Sequence, residues 1–188
     1  MGIRESILAA GTQLLREQGI GALSQPKVAA AAGIKQSHLT YYFPTRADLL
    51  MGITEQAITA MLASLEAKMT ESPRHATLAA TISEVMIEGI PPRAVIGLIA
   101  AADVHPEIRK PLRKLIRQVR EHILALLTKA GLAANEETAL LFHAVMVGLA
   151  IMHQARQNRE SANEIKDGVA AMLRLLEPAV PDPENHPL

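Results

Sequence analysis

Val28-Ala29-Ala30-Ala31-Ala32-Gly33-Ile34-Lys35-Gln36-Ser37-His38-Leu39-Thr40-Tyr41-Tyr42-Phe43-Pro44 sets the architecture of this chain. The alanine-rich run favours helix, and Gly33 supplies a positive-φ turn with Ile34 as an apolar plug at the corner. A second short helix then runs from about Gln36 to Phe43, where Pro44 stops it. A small residue at the helix crossing (Ala29), a glycine turn and apolar plugs (Ile34, Leu39) are the requirements of a helix-turn-helix. The same stretch holds three of the four aromatic residues of the chain. With no Trp, the bulk of the core must come from Leu, Ile, Val, Ala and Met, so these rings are not general filler.

Outward from this stretch, every signal is helical. Ile3, Ile7, Ala10 and Leu14 place a first helix over about 3–18, with Gly19 expected to end it in a left-handed cap. Ser24 reads as the N-cap of a second helix, to about Ala31, with Pro26 tolerated in its first turn. Thr45 with Asp48 forms a capping box for a long fourth helix ending near Ser72-Pro73. Further helices are predicted over about 75–88 closing at Gly89, over 92–102 after Pro91-Pro92, and over 106–130 closing at Gly131, the last kinked or split at Pro111. Asn135 followed by Glu136 and Glu137 opens an eighth to about Asn158, and Ser161 with Glu164 caps a ninth to about 176. The chain is therefore all-α, with about nine helices. It is divided as 1–46 for a helix-turn-helix head, 47–177 for a larger helical domain and 178–188 for a proline-rich disordered tail.

Composition narrows the class. Absence of cysteine removes disulfide frameworks and thiolate metal sites, and no leader or spanning segment is apparent; Ala139–Met152 reads as too short for a bilayer, so the expected location is cytoplasmic, away from any membrane. The formal charge is zero overall, yet residues 1–50 carry five Lys/Arg against three acids, while the remainder has 14 against 16. A mildly basic head on a mildly acidic body permits nucleic-acid binding.

A helix-turn-helix places the N-terminal end of its second helix in the major groove. The candidates for base edges are Lys35, Gln36, Ser37 and His38: Lys for guanine O6/N7, Gln for adenine N6/N7, Ser for either. Tyr41 and Tyr42 can reach phosphates, as can Ser24, Gln25 and Lys27 at the start of the preceding helix. Phe43 is assigned to the core.

Taken together, Ile7-Leu8-Ala9-Ala10, Leu14-Leu15, Gly19, Leu23-Ser24, Val28-Ala29, Ala32-Gly33-Ile34, Leu39, Tyr42-Phe43-Pro44, Arg46 and Leu49-Leu50 resemble the N-terminal DNA-binding domain of TetR-type bacterial transcription regulators. The resemblance covers roughly residues 3–50 and spans four helices in register. It implies an all-helical dimeric repressor of a double-stranded DNA operator, whose C-terminal domain binds a small-molecule effector and whose last two long helices, about 135–158 and 161–176, make the homodimer. Arg46 stands where the family commonly carries a phosphate-binding Lys. The chain departs from the family at Lys35, where Ser or Thr is usual, and at Thr40, often Tyr; the first loses an N-cap and adds a cation facing DNA.

The body is less specific. His143, set in Leu140-Leu141-Phe142-His143-Ala144-Val145-Met146, needs a partner if buried and is a candidate pocket residue, with Met61, Met86 and Met146 as adaptable apolar wall. His105, His122, His143 and His153 lack tight metal-ligand spacing, and neither a metal nor a cofactor is implied. Glu107–Glu121 carries six Lys/Arg against two acids; the cations fall opposite Leu112, Leu115, Ile116 and Val119, which reads as a solvated face. The competing class, an all-helical enzyme or small-molecule carrier using the C-terminal cavity, finds no nucleophile-base set and no paired carboxylates in the chain, so no enzyme is expected.

Overall fold

The computed structural model describes residues 2–71, 75–88 and 90–178. The described residues form nine α-helices and two 3₁₀ turns, with no strand among them. The helices are α1 (Ile3–Gln18), α2 (Gln25–Ala31), α3 (Gln36–Tyr42), α4 (Arg46–Glu71), α5 (His75–Glu88), α6 (Ile90–Val104), α7 (Arg109–Lys129), α8 (Glu136–Arg156) and α9 (Arg159–Leu175). The 3₁₀ turns are Ile20–Ala22 and Pro106–Ile108. The expected boundaries near Ser72-Pro73 and Gly89, and the expected tail beyond 178, lie outside the described residues.

Two apolar clusters organise the chain. The first joins Ile7, Leu8 and Leu15 of α1 and Val28, Leu39 and Phe43 of the next two helices to Leu49, Leu50 and Ile53 of α4, Ala94 and Leu98 of α6, and Leu112, Leu115 and Val119 of α7. The head is thus welded to the near end of the body, and α4 belongs to both. The second cluster fills the far end with Leu65, Met69, Leu78, Met86, Leu127, Phe142, Met146, Ile165, Val169 and Leu173. Close helix crossings rely on missing side chains. A Cβ on Gly52 would lie 2.7 Å from Cε1 of Phe43 and 3.0 Å from Cδ2 of Leu8, and one on Gly97 would meet the end of the Ile20 side chain, which would have to shift.

Several local expectations change in detail. Gly19 has φ 73°, but its ψ of −178° is extended, so α1 ends by leaving the helix directly into the 3₁₀ turn. Gly33 (φ 67°) and Gly131 (φ 75°) are left-handed as expected. Ser24 occupies the N-cap position of α2 without a side-chain capping bond. Helix α6 starts at Ile90, ahead of both prolines, because Pro is tolerated in a first turn whose N–H groups have no intrahelical acceptor. The predicted 106–130 helix is a 3₁₀ turn followed by α7, which leaves Pro111 harmlessly in the first turn of α7. Asn135 caps α8 with Thr138 as its box partner, through Thr138 N–H to Asn135 Oδ1 at 2.9 Å and Asn135 N–H to Thr138 Oγ1 at 2.8 Å.

The ninth helix is a correction. Asn158, not Ser161, is its N-cap: Ser161 N–H donates to Asn158 Oδ1 at 2.9 Å, and Ser161 is the third helical residue. Ser161 Oγ completes the box, accepting from Asn158 N–H at 3.4 Å, and also lies 2.8 Å from Nδ1 of the buried His153 ring. Glu164 instead accepts from the Arg156 guanidinium across the α8–α9 corner, which holds its carboxyl below the usual range. Helix α8, 21 residues, is longer than the apolar run alone suggested and is long and apolar enough to cross a membrane; it packs instead between α7 and α9 in the helical body.

Candidate nucleic-acid interface

The recognition surface is built from helices too short to stand alone. Leu39 is buried against the first cluster, so α3 is pinned through one face and everything else on it turns outward. Lys35, Gln36, Ser37 and His38 are all exposed. Thr40 Oγ1 folds back onto the carbonyls of Gln36 (3.2 Å) and Ser37 (3.1 Å), which leaves the first turn of α3 free of side-chain entanglement. Lys35 sits at the N-cap position with no side-chain cap, as the loss of Ser or Thr there requires.

The three consecutive rings have separate fates. Tyr41 is 81% exposed and Tyr42 40% exposed, their rings meeting edge to face at 5.2 Å, whereas Phe43 is 3% exposed. Arg4 of α1 lies over the Phe43 ring, its guanidinium carbon 5.5 Å from the centroid. Helix α1 is therefore tied to the end of α3 by a residue that the sequence pattern did not single out.

Two sequence candidates have other work. Gln25 donates from Nε2 to the carbonyls of Phe43 (2.7 Å) and Pro44 (3.1 Å), clamping the start of α2 onto the end of α3. Arg46 donates from Nε to the Leu23 carbonyl (2.7 Å) and from a terminal nitrogen to the Ile20 carbonyl (2.9 Å). Both thus bind carbonyls where the chain turns, that of Ile20 also accepting from Leu23 N–H at 3.2 Å. Ser24 is half-buried and Lys27 exposed beside them. Below, Thr45 and Asp48 make the expected box, with Thr45 N–H to Asp48 Oδ2 and Asp48 N–H to Thr45 Oγ1 both at 3.0 Å.

Sequence comparison bears on this geometry directly. Residues 7–53 match the model for bacterial regulatory proteins of the tetR family, and residues 92–178 match that of the tetracyclin repressor-like C-terminal domain. The chain belongs to the TetR family. As a TetR protein it is a ligand-responsive, DNA-binding transcriptional regulator. Solved structures share the fold over nearly the whole chain. The multidrug binding protein EbrR, complexed with imidazole, is 23% identical, with a TM-score of 0.65 over 97% of this chain and 99% of its own. A TetR-family regulator from Cytophaga hutchinsonii is 13% identical (TM-score 0.71, covering 93% and 94%), and a TetR regulator from Haloarcula marismortui ATCC 43049 is 16% identical (TM-score 0.71, covering 93% and 97%). No curated protein matches this TetR chain in sequence.

In the TetR body, three of the four expected pocket residues meet at one apolar cluster. Met86 and Met146 are buried in the second cluster, and Met61 packs where the two clusters meet. His143 is half-buried on α8; burial first, and then the Arg120 charge, push its pKa down. A cleft between α4 and α7 is lined by Leu62, Leu65, Glu66, His122, Ala125, Leu126 and Lys129. Its apolar floor carries three polar side chains at the rim, and His122 Nδ1 is hydrogen-bonded to the Gln118 carbonyl at 2.7 Å. These residues lie on helices some 60 positions apart, and no local pattern connects them.

Proposed function

We propose that the protein is a homodimeric, cytoplasmic repressor that holds a palindrome-like operator through two copies of α3 and releases it when a small molecule enters the body. The observation that carries this reading is the outward row Lys35, Gln36, Ser37, His38 on a helix whose other face is sealed in the core, followed by the exposed Tyr41 and Tyr42. Lys35 and Gln36 have the donor chemistry for guanine and adenine edges, and the tyrosine hydroxyls that for phosphates. Ser24 and Lys27 flank the same groove edge. Gln25 and Arg46 act in this reading chiefly by holding the frame, through the internal carbonyls they bind.

One such helix reads too few base pairs for specificity, so two copies about 34 Å apart are needed. The surface that supports pairing is on α8, where Leu141, Val145 and Met152 are exposed and Gly148 has open space over it. These positions share a helix face, and Gly148 lets a second helix approach closely. Helix α9, alongside, adds exposed Leu175.

The α4–α7 cleft is the effector site in this reading, since α4 leads straight into the head and a ligand wedged behind it acts on head spacing. Effector response follows only if the ligand prefers one spacing. EbrR, of like fold, is a multidrug binding protein seen with ethidium as well as imidazole, which supports a ligand site in the helical body. Gel shifts with promoter fragments neighbouring the gene, over a range of salt, test the reading: sequence-preferring binding is expected, and uniform or absent binding at every salt would sink it.

A further inference from the structure

The charge of the body is unevenly placed. Between Arg109 and Arg120 there are six Lys/Arg and no acid, while the rest of residues 51–188 has eight Lys/Arg against 16 Asp/Glu. Helical spacing puts Lys110, Arg113, Lys114 and Arg117 on one stripe of α7, about 10 Å long at 1.5 Å per residue. All four are exposed. Arg117 reaches Glu121 at 3.9 Å, and Arg109, beside the stripe, reaches Asp103 at 4.0 Å. Lys110, Arg113 and Lys114 have no ion-pair partner among the described residues.

Nothing in the fold of the monomer benefits from this arrangement. Like charges three and four positions apart repel along the stripe, and Arg109 and Lys110 in the first turn oppose the helix dipole. The opposite face of the same turns, Leu112, Leu115 and Val119, is sealed into the apolar cluster that also holds the helix-turn-helix. The stripe is therefore held on the outer side of α7, facing away from that cluster, along the stretch of α7 that packs beside the head-proximal part of α4.

Resting on the DNA-binding reading above, we propose that the N-terminal half of α7 is a second DNA-backbone surface: Lys110, Arg113, Lys114 and Arg117 neutralise phosphates of the duplex flanking the segment read by α3. Such contacts carry no sequence information and contribute affinity by counterion release. The stripe sets how tightly the regulator holds DNA, and α3 sets where.

The test uses the full chain and fluorescence anisotropy with two probes, a promoter fragment and a mixed-sequence duplex of about 40 base pairs, each titrated at several salt concentrations. The fourfold variant Lys110→Gln/Arg113→Gln/Lys114→Gln/Arg117→Gln is expected to bind both probes at least tenfold more weakly near 0.1 M salt. Its plot of log affinity against log salt should be shallower by about 0.9 for each lost phosphate contact. The preference between the probes should be unchanged. Lys114→Gln is compared with Lys68→Gln, which removes the same charge from the far part of α4; equal effects would mean net charge alone and overturn the proposal. Circular dichroism and light scattering establish that each variant keeps its helices and oligomeric state. An unchanged slope with wild-type affinity overturns the proposal and leaves α3 binding intact. Failure of the wild-type chain to bind either probe overturns the DNA-binding reading itself.

Discussion

Tyr42 and Phe43 are adjacent in sequence and opposite in role, and substitution should separate them. Tyr42→Phe removes one exposed hydroxyl; the expected outcome is unchanged thermal stability with a loss of roughly tenfold in operator affinity, the worth of one hydrogen bond to a charged oxygen. Because a neutral hydroxyl displaces no counterion, the salt slope should stay the same. Phe43→Ala instead empties a core site and should cost about 3–5 kcal/mol of stability, read from denaturant unfolding. His143 gives a pH signature. Burial holds its folded pKa below the ordinary histidine value, so the unfolded chain binds more protons in the window just beneath that value, and stability falls as pH drops through it. His143→Gln should flatten that fall in melting curves taken between pH 7 and 5; an unchanged profile would assign the dependence to other groups.

Helix ends show how far local signals reach. The turn at Gly33, the Thr45–Asp48 box and the Asn135 cap follow from residues within four positions of one another, and each is where the sequence places it. For α9 two caps compete within four residues, Asn158 and Ser161, and local preference does not separate them. In the fold Asn158 takes the cap and Ser161 becomes its box partner, its Oγ also 2.8 Å from Nδ1 of the buried His153 on α8. Asn158→Ala is accordingly expected to cost about 1 kcal/mol in thermal unfolding, and Glu164→Ala, which loses only an exposed pair, distinctly less. Where α4 crosses the head, Gly52→Ala would press on the Phe43 ring, which cannot swing aside as a flexible chain end would. A loss of about 1–3 kcal/mol is expected, with weaker operator binding because the end of α3 moves with that ring.

In the dimer proposed above, pairing rests on the exposed face of α8. Val145→Asp with Met152→Asp should convert a dimer of twice 20.2 kDa into a folded monomer in light scattering, with operator affinity falling by orders of magnitude because one α3 must then bind alone. The helical class, the order of the helices and the outward row from Lys35 to His38 were legible in the sequence, since periodicity, caps and turn glycines act over one or two helical turns. Exposure of the two tyrosines and burial of Phe43 follow from the same periodicity. What needed the folded chain were relations between distant segments. The hydrogen bonds of Gln25 and Arg46 to the carbonyls of Phe43, Pro44, Leu23 and Ile20 join residues 18 to 26 positions apart, beyond any local pattern. Likewise, the packing of Met86 and Met146 among α5, α8 and α9, and the cleft between α4 and α7, exist only in the folded chain. Backbone hydrogen bonding and side-chain patterning are local and repeat along the chain; a spare carbonyl or an unfilled gap exists only once helices from separate parts of the chain have met.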